Sequence, residues 1–327
     1  MLRALFLNAA EGRVRAGWRL LVGLVAFVLV NVATVFVSIA ATVLPLIQTP
    51  TQLTAPLLAV IGPAQLVLTA AAVVGLGYVL DRRRPRDFGF RFDRGWWLDL
   101  GFGLALGAAL QTAIFLLELG VGWLRVTGYA VTADPGASFA LWFGAAVVGY
   151  VAVGIYEELF VRGYVLTNLA EGLDGLGPVG GLGPVSTRTA VGLAVLLSSS
   201  LFGLLHAANP SATLVSTGTL VFAGVFLAAG YVLTGELAIP IGIHVTWNFF
   251  QGIVWGFPVS GANLGVSLVG VEQTGPRAIT GGAFGPEAGL VGVVAMAVGI
   301  VAIAAWVRSR GGDLAVAEGL TVPEFRE

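Results

Sequence analysis

Residues 139–166 read FALWFGAAVVGYVAVGIYEELFVRGYVL. From Phe139 to Tyr156 nothing is charged, and the whole run exceeds the roughly 20 residues that a helix needs to cross about 30 Å of hydrocarbon. Glu157, Glu158 and Arg162 then fall inside the same hydrophobic stretch. Ionisable groups at membrane depth are costly, so they point to a partner, a protein interior or a water-filled cavity.

Working outward, seven further stretches reach or approach spanning length: 18–45, 53–80, 97–120, 190–208, 212–233, 237–256 and 288–307. The fold expected is therefore all-α and polytopic, with about eight transmembrane helices. The first stretch is far longer than the apolar core of a signal peptide, so it is read as a helix that stays in the membrane. Composition agrees: 57% of the 327 residues are apolar, 11% are charged, and the mean hydropathy is +0.91. A soluble domain usually carries about 25% charged residues. A net charge of -1 excludes a nucleic-acid binder working by bulk electrostatics. The absence of cysteine removes disulfides, thiol nucleophiles and thiolate metal sites.

Every basic residue is arginine, and basic loops stay on the cytoplasmic side. With the N-terminus inside, 15 of the 17 arginines fall inside, leaving Arg125 and Arg277 outside. The expected protein is thus a multi-pass cell-membrane protein with both termini cytoplasmic. Residues 1–17 set Leu2, Leu5 and Phe6 against Arg3, Arg13 and Arg15, a pattern for a short helix in the headgroup layer. The chain then divides into this interfacial segment, three N-terminal spans (18–138), a core at 139–256, and 257–327 with a loop, the last span and a cytoplasmic tail. The glycine-rich stretch 172–185 reads as a loop between the fourth and fifth spans. Glu118 and Glu236 fall at span ends, within reach of interfacial water, and Trp96 reads as an interface anchor.

Both histidines of the chain lie in apolar stretches: Phe202-Gly203-Leu204-Leu205-His206 in the fifth span and His244-Val245-Thr246-Trp247-Asn248 in the seventh. Adjacent helical residues point about 100° apart, so Glu157 and Glu158 do different jobs. Glu158 and Arg162 are four apart and share a face, where an ion pair is natural. Glu157 is left without a cation from its own helix, and a desolvated carboxylate there is a better proton acceptor. His244 and Asn248, also four apart, offer an imidazole and an amide that suit a developing oxyanion. This set suits attack of an activated water on an amide carbonyl, with a polar site formed by spans four, five and seven. The water is activated either by Glu157 with His206, or by a zinc ion held by Glu157, His206 and His244. One tension stands in this reading: Glu157 and His244 fall in the inner half of their spans, and His206 towards the outer end of its own.

Glu157-Glu158-x-x-x-Arg162, Phe202-x-x-x-His206 and His244-x-x-x-Asn248 resemble, in order, the three motifs of the CPBP intramembrane protease family, also called the CAAX protease and bacteriocin-processing or ABI family. The resemblance covers about residues 139–256. It implies an eight-helix membrane endopeptidase related to the enzyme that trims prenylated CAAX proteins, acting on a membrane-anchored peptide or protein. By motif position, Glu157 resembles the catalytic glutamate, His206 the histidine that helps hold the attacking water, and His244 with Asn248 the oxyanion pair. Glu158, Arg162 and Phe202 resemble supporting residues. Both a metalloprotease and a metal-free glutamate mechanism go with the family, so the resemblance leaves zinc or no cofactor open. Two other classes compete: a proton- or ion-coupled transporter, since carboxylate and histidine chains also relay protons, and a non-proteolytic membrane scaffold that keeps the motifs.

Overall fold

The computed structural model describes residues 5–8, 11–43, 53–174, 176 and 184–322. Among them seven helices are long and apolar enough to cross a membrane. In chain order these are α1 (Ala16–Val43), α2 (Ala55–Asp81), α3 (Arg94–Gly120), α4 (Phe139–Asp174), α5 (Thr187–Leu205), α6 (Leu214–Thr234) and, after the shorter α7 (Ala238–Phe249), α8 (Leu290–Ser309). The protein is an all-α polytopic membrane protein. The expected seventh span is α7, which a π-helical turn extends over Phe250–Val254. It is not one of the seven. Ala238, Ile239, Pro240, Ile241, Gly242, Ile243 and His244 are all buried, so its apolar run faces protein on every side. Hydropathy does not distinguish a wall of side chains from a wall of lipid.

Local chemistry sets several helix ends. Asp93 accepts from the Trp96 amide at 2.8 Å to start α3, and Thr213 and Ser216 form a reciprocal capping box at the start of α6. Gly235, at φ +70°, ends α6 in the left-handed conformation that glycine adopts without strain. Lipid tails supply no hydrophobic drive for one helix to join another, so close packing by small residues must do it. The α3–α7 contact is built that way. A Cβ at Gly103 would sit 2.5 Å from the Ile239 carbonyl oxygen, and one at Gly242 2.6 Å from that of Leu100.

One end of the bundle gathers the arginines. Arg19 pairs with Asp81 and, at 3.1 Å, with Glu171; Arg13 reaches Glu171 at 2.8 Å, and Arg83 also pairs with it. These charges are buried and matched, which ties the start of α1, the end of α2 and the end of α4 together. Burial holds the Arg13 and Arg83 guanidinium groups below their ordinary pKa. In the N-terminal segment Leu5 and Phe6 are helical, and β1 (Leu7–Asn8) then pairs with β2 (Arg13–Val14) in a short antiparallel ladder. Arg13 is buried and held by Glu171, so its side chain turns into the protein rather than towards headgroups. Leu2, Arg3, Arg326 and most of the glycine-rich loop lie outside the described residues.

At the other end, β3 (Leu124–Thr132) and β4 (Val266–Gln273) form a two-stranded antiparallel sheet, paired from Leu124 with Gln273 to Thr132 with Val266. The connection after α7 is therefore more than a loop. Two expected solvated carboxylates are buried instead: Glu118 accepts from Gln273 at 2.8 Å, and Glu236 pairs with Arg91 at 2.5 Å. Burial pushes the Glu236 carboxyl up to about 7. Trp96 is buried too, its indole N–H donating to the Gly89 carbonyl at 2.9 Å.

Candidate active site

The site lies where α4, α5 and α7 meet. Helix α4 passes into π-helical geometry directly after Glu158, over Leu159–Leu166, before returning to α-helix. Widened turns of this kind are frequent at functional sites. Here the turn keeps Arg162 inside: its guanidinium donates to Glu158 Oε1 at 2.9 Å and to the Gly224 carbonyl of α6 at 3.0 Å. The same Glu158 oxygen lies 2.7 Å from Nδ1 of His244. A carboxylate only accepts, so Nδ1 carries the hydrogen and Nε2 faces away from Glu158.

His206 is fixed by a different device. It caps the C-terminus of α5, where the last carbonyls lack helical partners. Its Nδ1 lies 2.8 Å from the Phe202 carbonyl and donates to it, which again leaves Nε2 pointing outward. Both Nε2 atoms approach the same oxygen: Glu157 Oε2 is 4.0 Å from that of His206 and 3.8 Å from that of His244. That oxygen is buried and accepts no hydrogen bond from the protein. Oε1 of the same carboxylate accepts from the Tyr156 hydroxyl at 3.3 Å. The Glu157 and His206 side chains each keep 17% exposure while that of Glu158 keeps none, so only the first glutamate is reachable by a substrate.

Phe202 packs between these groups. Its ring centroid is 4.7 Å from that of His206 and 6.0 Å from that of His244, and the Arg162 guanidinium sits 4.7 Å over it. Asn248, one turn beyond His244, lines the same cavity of about 250 Å³ as Glu157, His206 and His244. The structure thus brings the four side chains expected from the sequence to the lining of one cavity, with Phe202 beside them, and sets Glu158 and Arg162 behind that lining. The depth mismatch disappears as well. Helix α4 runs to Asp174, well past the boundary drawn at 166, so Glu157 is mid-helix, level with the end of the shorter α5.

Three things escaped the sequence reading. Glu158 serves His244 as well as Arg162. Tyr156 contacts Glu157 from the preceding position. Glu287, far along the chain, lines the cavity and accepts from the Ser260 amide at 2.5 Å and from Gln251. Only the Tyr156 contact had a signal in the sequence, its adjacency to the glutamate pair.

As for zinc, no group of three His, Asp or Glu side chains among the described residues is arranged to hold a metal ion. Tetrahedral zinc with bonds of about 2.0–2.2 Å sets its donor atoms roughly 3.4 Å apart. The Glu157–histidine separations are wider.

Residues 139–250, from the start of α4 through α7, match the family model described as type II CAAX prenyl endopeptidase Rce1-like. This segment is similar to the Rce1-like family. It holds Glu157, Glu158, Arg162, Phe202, His206, His244 and Asn248, whereas Ser260 and Glu287 of the cavity lining lie outside it. No curated protein and no solved structure matches the chain.

Proposed function

We propose that the protein is an intramembrane endopeptidase, with both termini cytoplasmic, that hydrolyses a peptide bond of a membrane-associated substrate of CAAX type. The observation that carries this reading is the Glu157 oxygen, buried, unpartnered and facing two imidazole nitrogens at 3.8 and 4.0 Å on a cavity wall. The gap has the size for one bridging water.

That water attacks the carbonyl carbon of the scissile amide while its proton passes to Glu157. His206 holds the water through Nε2. The negative charge that develops on the carbonyl oxygen meets the Asn248 amide and the Nε2–H of His244, an imidazolium that takes this proton from solvent before the attack and returns it after the products leave. Glu158, which holds the Nδ1 hydrogen of His244, stabilises that cation. Collapse of the tetrahedral intermediate breaks the C–N bond as Glu157 returns its proton to the leaving nitrogen. Amide and water become acid and amine, and no covalent enzyme intermediate forms. Removing a positioned acid–base group costs about 10²–10⁴ in rate.

The test is cleavage of lipidated and unlipidated peptides by the purified protein in detergent or vesicles, beside Glu157→Gln and His206→Ala. Both variants should insert and fold as the parent does and lose turnover. Undiminished turnover in Glu157→Gln overturns the proposal. Proton-driven substrate flux in vesicles, unaffected by His206→Ala, favours the transporter class instead.

A further inference from the structure

His206 stands at the C-cap of α5, beyond its last helical residue, so the helix alone does not fix it. Its ring is held by the bond to the Phe202 carbonyl, and its backbone carbonyl accepts from the Asn209 amide at 3.1 Å in the turn that follows. His244 is placed far more firmly. It sits inside α7, its Nδ1 is bonded to Glu158, and the glycine contacts between α7 and α3 hold the whole helix. The geometry of the two facing imidazoles therefore depends on what holds the turn at 206–210.

That turn is tied to α7 through residues outside the matched stretch. The Asn209 side chain donates to the Ser260 carbonyl at 3.1 Å. A Cβ at Gly261, where φ is +79°, would sit 1.7 Å from the Pro210 carbonyl oxygen, so the turn at Val259–Ala262 lies directly against this connection. The Ser260 amide in turn donates to Oε1 of Glu287 at 2.5 Å, and Oε2 of the same carboxylate accepts from the Gln251 side chain. Gln251 lies in the π-helical turn that prolongs α7, one turn beyond Asn248, and its Oε1 accepts from Gln111 of α3 at 3.0 Å. Glu287, Gln251 and Gln111 are all buried. Buried polar bonds joined end to end make a stiff link, because breaking any one of them leaves a desolvated group without a partner.

Resting on the peptidase reading, we infer that Glu287 is a positioning residue for the attacking water: its carboxylate ties the turn that carries His206 to the end of the helix that carries His244 and Asn248. It acts through Ser260 and Asn209 on one side and through Gln251 on the other. Each of these two links needs an acceptor oxygen on residue 287. A glutamine offers only one, and its amide N–H₂ faces a donor at the other link whichever way it turns. Gln251 keeps its bonds to Gln111 and, at 2.5 Å, to the Pro258 carbonyl. Helix α7 therefore stays in place when the link is cut, and His206 is the group that moves.

The chain has two histidines, so selective isotope labelling of histidine gives two sets of imidazole signals, assigned with His206→Ala. Glu287→Gln and Asn209→Ala should each shift the His206 ring signals and leave those of His244 in place. In the cleavage assay each should lower kcat about 10–100-fold, as small misplacements made far from the chemistry do, with KM nearly unchanged. The double variant should fall no further than the single ones, because both cut the same link. Should Glu287→Gln not accumulate, Glu287→Asp, one methylene too short to span Ser260 and Gln251, takes its place. An unmoved His206 signal in the residue 287 variant, or a double variant whose loss is the product of the two single losses, overturns the inference. If the parent cleaves no peptide at all, the peptidase reading fails, while the imidazole signals still decide whether Glu287 holds His206.

Discussion

Nδ1 of His244 and Nη1 of Arg162 meet the same oxygen of Glu158, at 2.7 and 2.9 Å, and neither side chain of that ion pair is exposed to solvent. One carboxylate therefore neutralises a buried guanidinium and fixes the tautomer of an imidazole facing the cavity. The two adjacent glutamates divide the work, Glu157 towards the cavity and Glu158 towards the protein, and the consequences of removing them should separate cleanly.

Glu158→Ala leaves Arg162 charged and unpaired in the interior, which should cost about 3–5 kcal/mol. Thermal unfolding in detergent reads this as a large fall in Tm. Glu158→Gln keeps an acceptor and the shape, so the protein should persist while His244 loses its carboxylate partner. Kinetics should show kcat reduced about 10–100-fold, the range for a partner that orients a functional histidine, with KM nearly unchanged.

Glu157→Gln should behave in the opposite sense. Its Oε2 accepts no hydrogen bond from the protein, so the fold loses little, and Tm should stay close to the parent value. Peptide cleavage should fall by about 10²–10⁴-fold. A matching fall in Tm would show that Glu157 is structural.

Glu287 links pH to the cavity lining. Burial pushes its carboxyl up from 4.5 to about 7, against the opposing hydrogen bonds from Ser260 and Gln251. The folded form binds the proton more tightly than the unfolded chain, so this residue's contribution is complete below 4.5 and is lost as pH rises through about 7. Tm should fall between pH 5 and pH 8, and Glu287→Gln should flatten that slope.

Gly242→Ala tests the packing that positions His244. The added Cβ would lie 2.6 Å from the Leu100 carbonyl oxygen and 2.7 Å from the Leu104 nitrogen, both backbone atoms that a rotamer change cannot clear. Overpacking typically costs about 1–3 kcal/mol. Loss of Tm together with loss of cleavage is expected, since α7 must shift and carry His244 away from Glu157.

Much of the site was legible because helical spacing is a strong constraint: Glu158 with Arg162, Phe202 with His206, and His244 with Asn248 are each four apart. The cluster joining the three helices came from their order and from the family resemblance, not from spacing. The parts that stayed hidden depend on surroundings. Residues 237–256 look like any lipid-facing run, although α7 is enclosed by protein. The Glu158–His244 bond joins positions 86 apart, and no local pattern encodes it. The β3–β4 sheet has strands in two connections far apart in the chain, and pairing at that distance leaves no trace in hydropathy. The continuation of α4 past Leu166 was missed because Asn168 and Glu171 lower the apolar signal, yet Glu171 is where three arginines converge.

The π-helical stretch at Leu159–Leu166 gives the fourth helix an unusual sensitivity to its own length. Deleting a single residue there would let the turn relax to ordinary α-geometry and rotate the C-terminal half of the helix against its N-terminal half. Arg162 would swing off Glu158 and the Gly224 carbonyl, and Glu171 would leave its arginines. A point substitution at the same positions disturbs one contact; a one-codon deletion should unmake the cavity lining and the arginine clasp at once, so this segment should tolerate exchange of side chains far better than any change in their number.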